Sequence, residues 1–137
     1  MQYFEFLPHT ADIRMRVEAS TLQELFHAAL QGMHAVLHPS EINTGGERRS
    51  YQLRLSSLDS TTLLIDFLSD VLTASYEHKA IFDIFQITAF GDTSIEAELS
   101  GHMIEQFDED IKAVTYHEAD IHQNAKGNWE TVVIFDI

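Results

Sequence analysis

Trp129-Glu130-Thr131-Val132-Val133-Ile134-Phe135-Asp136-Ile137 is the stretch that decides the fold. Residues 132–135 are apolar on both alternation phases, and a strand covered on both faces belongs inside a sheet rather than at its edge. Asn124-Ala125-Lys126-Gly127-Asn128 before it carries turn chemistry, and Lys112-Ala113-Val114-Thr115-Tyr116-His117 opens a strand-like run on the far side of that turn. Together they predict a β-hairpin. An internal strand does not fray, so the Asp136 side chain and the α-carboxylate of Ile137 are expected in fixed places, one residue apart.

Upstream, period-2 and period-3.6 patterns alternate. Residues 3–7 read as a short apolar strand that Pro8 interrupts, and His9-Thr10-Ala11-Asp12 reads as a loop. Ile13, Met15 and Val17 then alternate with Arg14, Arg16 and Glu18 in a half-buried strand with Asp12 at its mouth. Ser20 stands three residues before Gln23 at capping-box spacing, and Leu22, Leu25, Phe26, Ala29, Leu30, Met33, Val36 and Leu37 mark an amphipathic helix that Pro39 stops. Asn43-Thr44-Gly45-Gly46 reads as a loop, and a strand over 47–56 turns Tyr51, Leu53 and Leu55 to one face. Asp59 or Ser60 caps a second helix with the stripe Leu63, Leu64, Phe67, Leu68, Val71 and Leu72, and with Asp66, Asp70 and Glu77 on its wet side. Strands at 81–90 and 94–104, joined by a Gly91-Asp92 turn, lead through the acidic Asp108-Glu109-Asp110 turn to the final hairpin. The order is two strands, helix, strand, helix, four strands. This predicts an α+β fold, one domain over residues 1–137, with a mostly antiparallel or mixed β-sheet and two amphipathic helices packed on one side.

Composition bounds the function. The 137 residues are 45% hydrophobic and 22% charged, ordinary for a globular protein large enough to bury a sizeable core. No apolar run approaches the length of a membrane span and no signal-peptide pattern opens the chain, so a cytoplasmic protein without a membrane partner is expected. Without cysteine there is neither a disulfide nor a thiolate metal site. Twenty-two acidic against eight basic residues give a net charge of −14, which repels phosphate backbones. No direct high-affinity nucleic-acid binding is expected, and a basic protein or a metal ion suits this surface better.

Eight histidines raise the question of a metal centre. His27, His34 and His38 fall near the polar face of the first helix, but only the last pair has chelating i, i+4 spacing and no His-Glu-x-x-His pattern occurs. Surface imidazoles are the expectation there. His117 and His122 fall on opposite phases of one expected strand and do not share a ligand. There is no phosphate-binding glycine loop and no Gly-x-Ser-x-Gly elbow.

The chain resembles the archease family, small acidic protein cofactors of the RtcB-type RNA ligase. The resemblance is carried by His9-Thr10-Ala11-Asp12-Ile13, by Leu22-Gln23-Glu24-Leu25-Phe26 leading to Gly32-Met33, by Lys112-Ala113-Val114-Thr115-Tyr116-His117 and by the terminal Asp136-Ile137. Where a glycine often follows the first motif in that family, Arg14 stands here. The resemblance implies that Asp12, Asp136 and Ile137 form a divalent-metal site and that Lys112 is a further functional position. Three carboxylates held together need a cation to offset their repulsion, and oxygen ligands suit calcium first, with magnesium or manganese as alternatives, rather than zinc.

The implied function is assistance rather than catalysis of its own. The chain would promote GTP-dependent guanylylation and multiple turnover of an RtcB-type ligase in tRNA splicing or RNA repair. The resemblance also implies an alternative, chaperoning of a tRNA-modifying methyltransferase.

Overall fold

The computed structural model describes residues 1–7, 12–38 and 47–137. The expected loop at His9-Thr10-Ala11, the helix stop at Pro39 and the loop at Asn43-Thr44-Gly45-Gly46 lie outside the described residues. The elements run β1 (Gln2–Leu7), β2 (Ile13–Ala19), α1 (Leu22–Leu37), β3 (Arg48–Ser56), α2 (Ser60–His78), β4 (Ala80–Gly91), β5 (Ser94–Met103), β6 (Ala113–Thr115), β7 (His122–Gln123) and β8 (Trp129–Asp136). This is an α+β fold in which every described strand pairing is antiparallel.

The strands divide into two sheets rather than one. One sheet runs β1-β2-β8-β6 with β7 also on β8, and the other runs β3-β5-β4. Alternation shows which face of a strand is buried but not which strand it pairs with. Here β4 and β5 form a long hairpin closed at Asp92 and Thr93, β3 joins it, and residues 104–112 return the chain to the first sheet. Each helix contacts both sheets, so the expected one-sided helix layer faces a sheet on more than one flank. Phe26 of α1 meets Phe67 of α2 and Phe90 of β4 with ring centroids 5.6 and 5.2 Å apart. One buried cluster takes Met15 and Val17 from β2, Phe82 from β4, Ile95 and Leu99 from β5, and Val133 and Phe135 from β8. Full burial of side chains of this size stabilises by about 1.5–3 kcal/mol each.

Local chemistry sets the helix starts. Thr21, not Ser20, caps α1: its backbone is extended and its side chain accepts from the Glu24 amide at 3.1 Å. Ser20 is otherwise engaged, its hydroxyl accepting from the N-terminal ammonium of Met1 at 3.0 Å. Asp59 caps α2 by accepting from the Thr62 amide at 2.8 Å. The expected stripe of α2 is buried throughout. Asp66 and Asp70, expected on the wet side, are half-buried acceptors instead: Ser57 and Tyr116 donate to Asp66, and Tyr51 donates to Asp70 at 3.0 Å.

The C-terminal hairpin forms at both ends, with β7 on β8 next to the turn and β6 on β8 at the far end, and is interrupted between them. His122 pairs with Glu130 and Gln123 with Trp129, and Asn124 Oδ1 accepts from the amides of Lys126 and Asn128. Gly127 takes φ +80, a left-handed conformation that favours glycine. Residues 116–121 leave the sheet, so His117 sits in a turn and His122 on β7. The two are not on one strand, because Ile121 and Asp120 spend their amides on Thr61 of α2 and on the Thr131 side chain rather than on a ladder.

Candidate functional site

β8 is internal, with β2 on one side and β6 and β7 on the other. Phe135 pairs with Ile13 across one boundary and with Val114 across the other. The β2 ladder ends at the Ile13–Phe135 pair, with Asp12 next to Ile13 and Asp136 next to Phe135, and Lys112 directly precedes β6. Asp136 itself pairs with Ala113, and the Lys112 amide donates to the Asp136 carbonyl at 2.7 Å. Four positions separated by up to 125 residues in the chain therefore share one end of one sheet. Asp136, Ile137 and Lys112 are exposed and Asp12 is half-buried.

The scaffold under that end is buried. Phe135 is fully enclosed, and Ile111, just before Lys112, is tied to α2 through Tyr76. The Tyr76 hydroxyl accepts from the Ile111 amide at 2.7 Å and donates to its carbonyl at 2.8 Å. Burial pushes the Tyr76 hydroxyl pKa up to about 12, so it remains a donor at neutral pH. A cleft of about 420 Å³ opens beside Asp12, with Phe6, Ile13 and Val36 for walls and Glu109 on its rim.

Asp12, Asp136 and the Ile137 carboxylate offer oxygen donors, the ligand chemistry that a hard divalent cation takes. Among the described residues, no group of three or more His, Asp or Glu side chains is gathered closely enough to hold a metal ion. The histidines, among the described residues, do not gather into a second centre. His27 lies against the Phe85 ring at 5.3 Å, and His38 Nδ1 sits 3.3 Å from Asp108. His34, expected on the wet face of α1, has its Nε2 sealed from solvent without a partner among the described residues.

Sequence reasoning noted Arg14 only as a departure from the family's glycine and passed over its partner at this end. Arg14 Nη2 donates to Glu118 Oε1 at 2.7 Å, a contact 104 residues long with no local signal to announce it. Further down the same outer face, Arg16 is shared by Glu5, Glu18 and Glu130 at 2.6, 3.0 and 2.8 Å. Glu18 is only 3% exposed, and the amides of Asn128 and Asn124, with Arg16, hold its carboxyl down at about 2. This network stitches the 124–128 turn to β2 and is structural.

Fold and site together define a small α+β protein whose distinctive chemistry is an acidic sheet end, without a nucleophile elbow or phosphate loop. Residues 4–137 match the Archease protein family (MTH1598/TM1083). Protein archease of Methanosarcina mazei is 33% identical, covering 98% of this chain and 95% of its own length, and that of Pyrococcus furiosus is 30% identical over the whole of both chains. The chain belongs to the archease family. Two solved structures share its fold. The solution structure of a Methanobacterium thermoautotrophicum protein has a TM-score of 0.74 at 24% identity, covering 98% of each chain. A Thermotoga maritima archease, described as a possible chaperone, has a TM-score of 0.69 at 19% identity, covering 96% of this chain and 94% of its own.

Proposed function

We propose that this chain activates an RtcB-type RNA ligase, promoting its GTP-dependent guanylylation and multiple turnover in tRNA splicing or RNA repair, without catalysis of its own. The observation that supports the reading is the Ile13–Phe135 pair that closes the β2–β8 ladder, next to Asp12 on one strand and Asp136 on the other, within a chain of the archease family. Asp12, Asp136 and Ile137 would hold a divalent cation, calcium first and magnesium or manganese as alternatives. A cation there would supply Lewis-acid charge at an exposed tip able to enter a partner's cleft. Lys112, on the adjoining strand, offsets the carboxylate charge or reaches a phosphate. The net charge of −14 draws a basic, RNA-binding partner, an attraction that salt screens.

The test is ligase turnover with GTP and excess RNA, for ligase alone and with wild type, Asp12→Ala or Asp136→Ala. Many rounds with wild type and about one with the folded variants is the expected result. Equal turnover with the variants would remove the carboxylates from the function.

A second reading, chaperoning of a tRNA-modifying methyltransferase, draws on one feature: Met1, Tyr3 and Phe6 are exposed on and beside the edge strand β1. Suppression of client aggregation by wild type and by Asp12→Ala alike, with no effect on any ligase, would favour it.

A further inference from the structure

We propose that Arg14 is the internal counter-cation of the carboxylate sheet end, held in place by Glu118, and that its charge sets how tightly that end binds a divalent cation. This rests on the metal reading above and adds a regulator that the reading lacks.

The argument begins with position. On β2, Met15 and Val17 face the core, so Arg14 and Arg16 face outward. Arg14 pairs with Ile134 of β8, which makes Asp136 its diagonal neighbour, and Asp12, the residue before β2, precedes it by two. Diagonal neighbours across an antiparallel pair lie about 7–8 Å apart, within the reach of an arginine charge, and Asp12 stands just outside the ladder at the mouth of β2. Arg14 therefore stands one row beneath the proposed ligands.

Next comes what holds it. Ile134 pairs with Thr115 on its other side, and the chain turns at Glu118, which adopts φ 62 and reaches Arg14. The ion pair thus ties the turn after β6 to β2, with β8 between them. Ile134 is only 4% exposed although it points away from the core, as expected of a residue lidded by such a strap. The strap does not saturate the guanidinium. Nη2 is engaged, while Nε is sealed from solvent with no acceptor among the described residues. A fixed positive charge beside a cation site opposes the cation, and the Glu118 charge moderates that opposition.

Charge and clamp make different predictions. Arg14→Gln removes the positive charge, Glu118→Gln unmasks it while leaving an oxygen for Arg14 to donate to, and the double variant restores the original sum. Calcium, magnesium and manganese chloride are titrated in turn calorimetrically into the full-length wild type, the three variants and Arg14→Lys, all checked for fold by circular dichroism. For the ion that binds wild type, Arg14→Gln should tighten binding roughly three- to tenfold at low salt and Glu118→Gln should weaken it by a similar factor. The double variant and Arg14→Lys should stay near wild type, and the differences should shrink in high salt.

Unchanged Kd in every variant overturns the role of Arg14 and leaves the metal site standing. Uniform weakening in all three glutamine variants also overturns it, in favour of a purely mechanical strap. Absence of binding by wild type to any of the three ions removes the metal reading, and this inference with it.

Discussion

His34 shows what single residues contribute beyond the site. It stands in the last turn of α1, and burial holds its imidazole well below the usual value, at about 4, with Asp83 opposing that shift and His27 adding to it. A histidine whose folded pKa lies below its unfolded one takes up protons on unfolding. Stability therefore rises as pH climbs from about 4 to about 6.5 and is lost as pH falls through the same window. The full difference is worth at most about 3 kcal/mol. His34→Leu should flatten the acid limb of a urea-unfolding profile between pH 7 and 4.5. At neutral pH it should leave the protein as stable or about 1 kcal/mol more so, because a sealed, unpartnered Nε2 is removed. A variant with an unchanged acid limb would show that other groups set it. The helical period placed His34 on the polar face, and only the packing around α1 reveals that this face is partly covered.

Among the elements, the β4–β5 hairpin has little tolerance at one position. Gly101 of β5 lies against Phe82 of β4, and a Cβ there would come within 2.8 Å of the Phe82 ring and 3.1 Å of Ala80 Cβ. Phe82 is fully buried and cannot swing aside. Gly101→Ala should cost about 1–3 kcal/mol, read as a lower urea midpoint with an unchanged m-value. Loss of less than about half a kcal/mol would mean that the irregularity in the β4 register between Ile81 and Ile84 absorbs the methyl. Element positions follow closely from the alternation of β2 and the stripes of α1 and α2. The break in the hairpin after β6 does not, because Asp120 and Ile121 satisfy their amides on Thr131 and Thr61, side chains whose proximity is tertiary.

For the molecule as a whole, the question is what an internal last strand is for. β8 carries the chain's final residues through the middle of a sheet, with Phe135 fully buried and Asp136 exposed directly after it. Adding two or more residues after Ile137 should leave circular dichroism and the unfolding midpoint unchanged, since no buried group is touched. It should also lower divalent-ion affinity and ligase activation by about tenfold or more, because the α-carboxylate is replaced by an amide. An extended chain that binds and activates normally would take Ile137 out of the site while leaving Asp12 and Asp136 in it.

By itself the sequence determined the element types, the two buried helix stripes, the internal character of the last strand and family membership, because periodicity and motif are local properties of a chain. It also singled out Asp12, Lys112, Asp136 and Ile137, through the resemblance and not through any spacing between them. Tertiary structure alone decided that the strands form two sheets and that the β2–β8 pairing brings Asp12 and Asp136 to the same sheet end. It alone decided that Thr21 rather than Ser20 caps α1, and that Arg14 and Glu118 meet beneath the carboxylates. Each of those depends on which distant segments pair, and pairing is set by the packing of the whole core rather than by any window of residues.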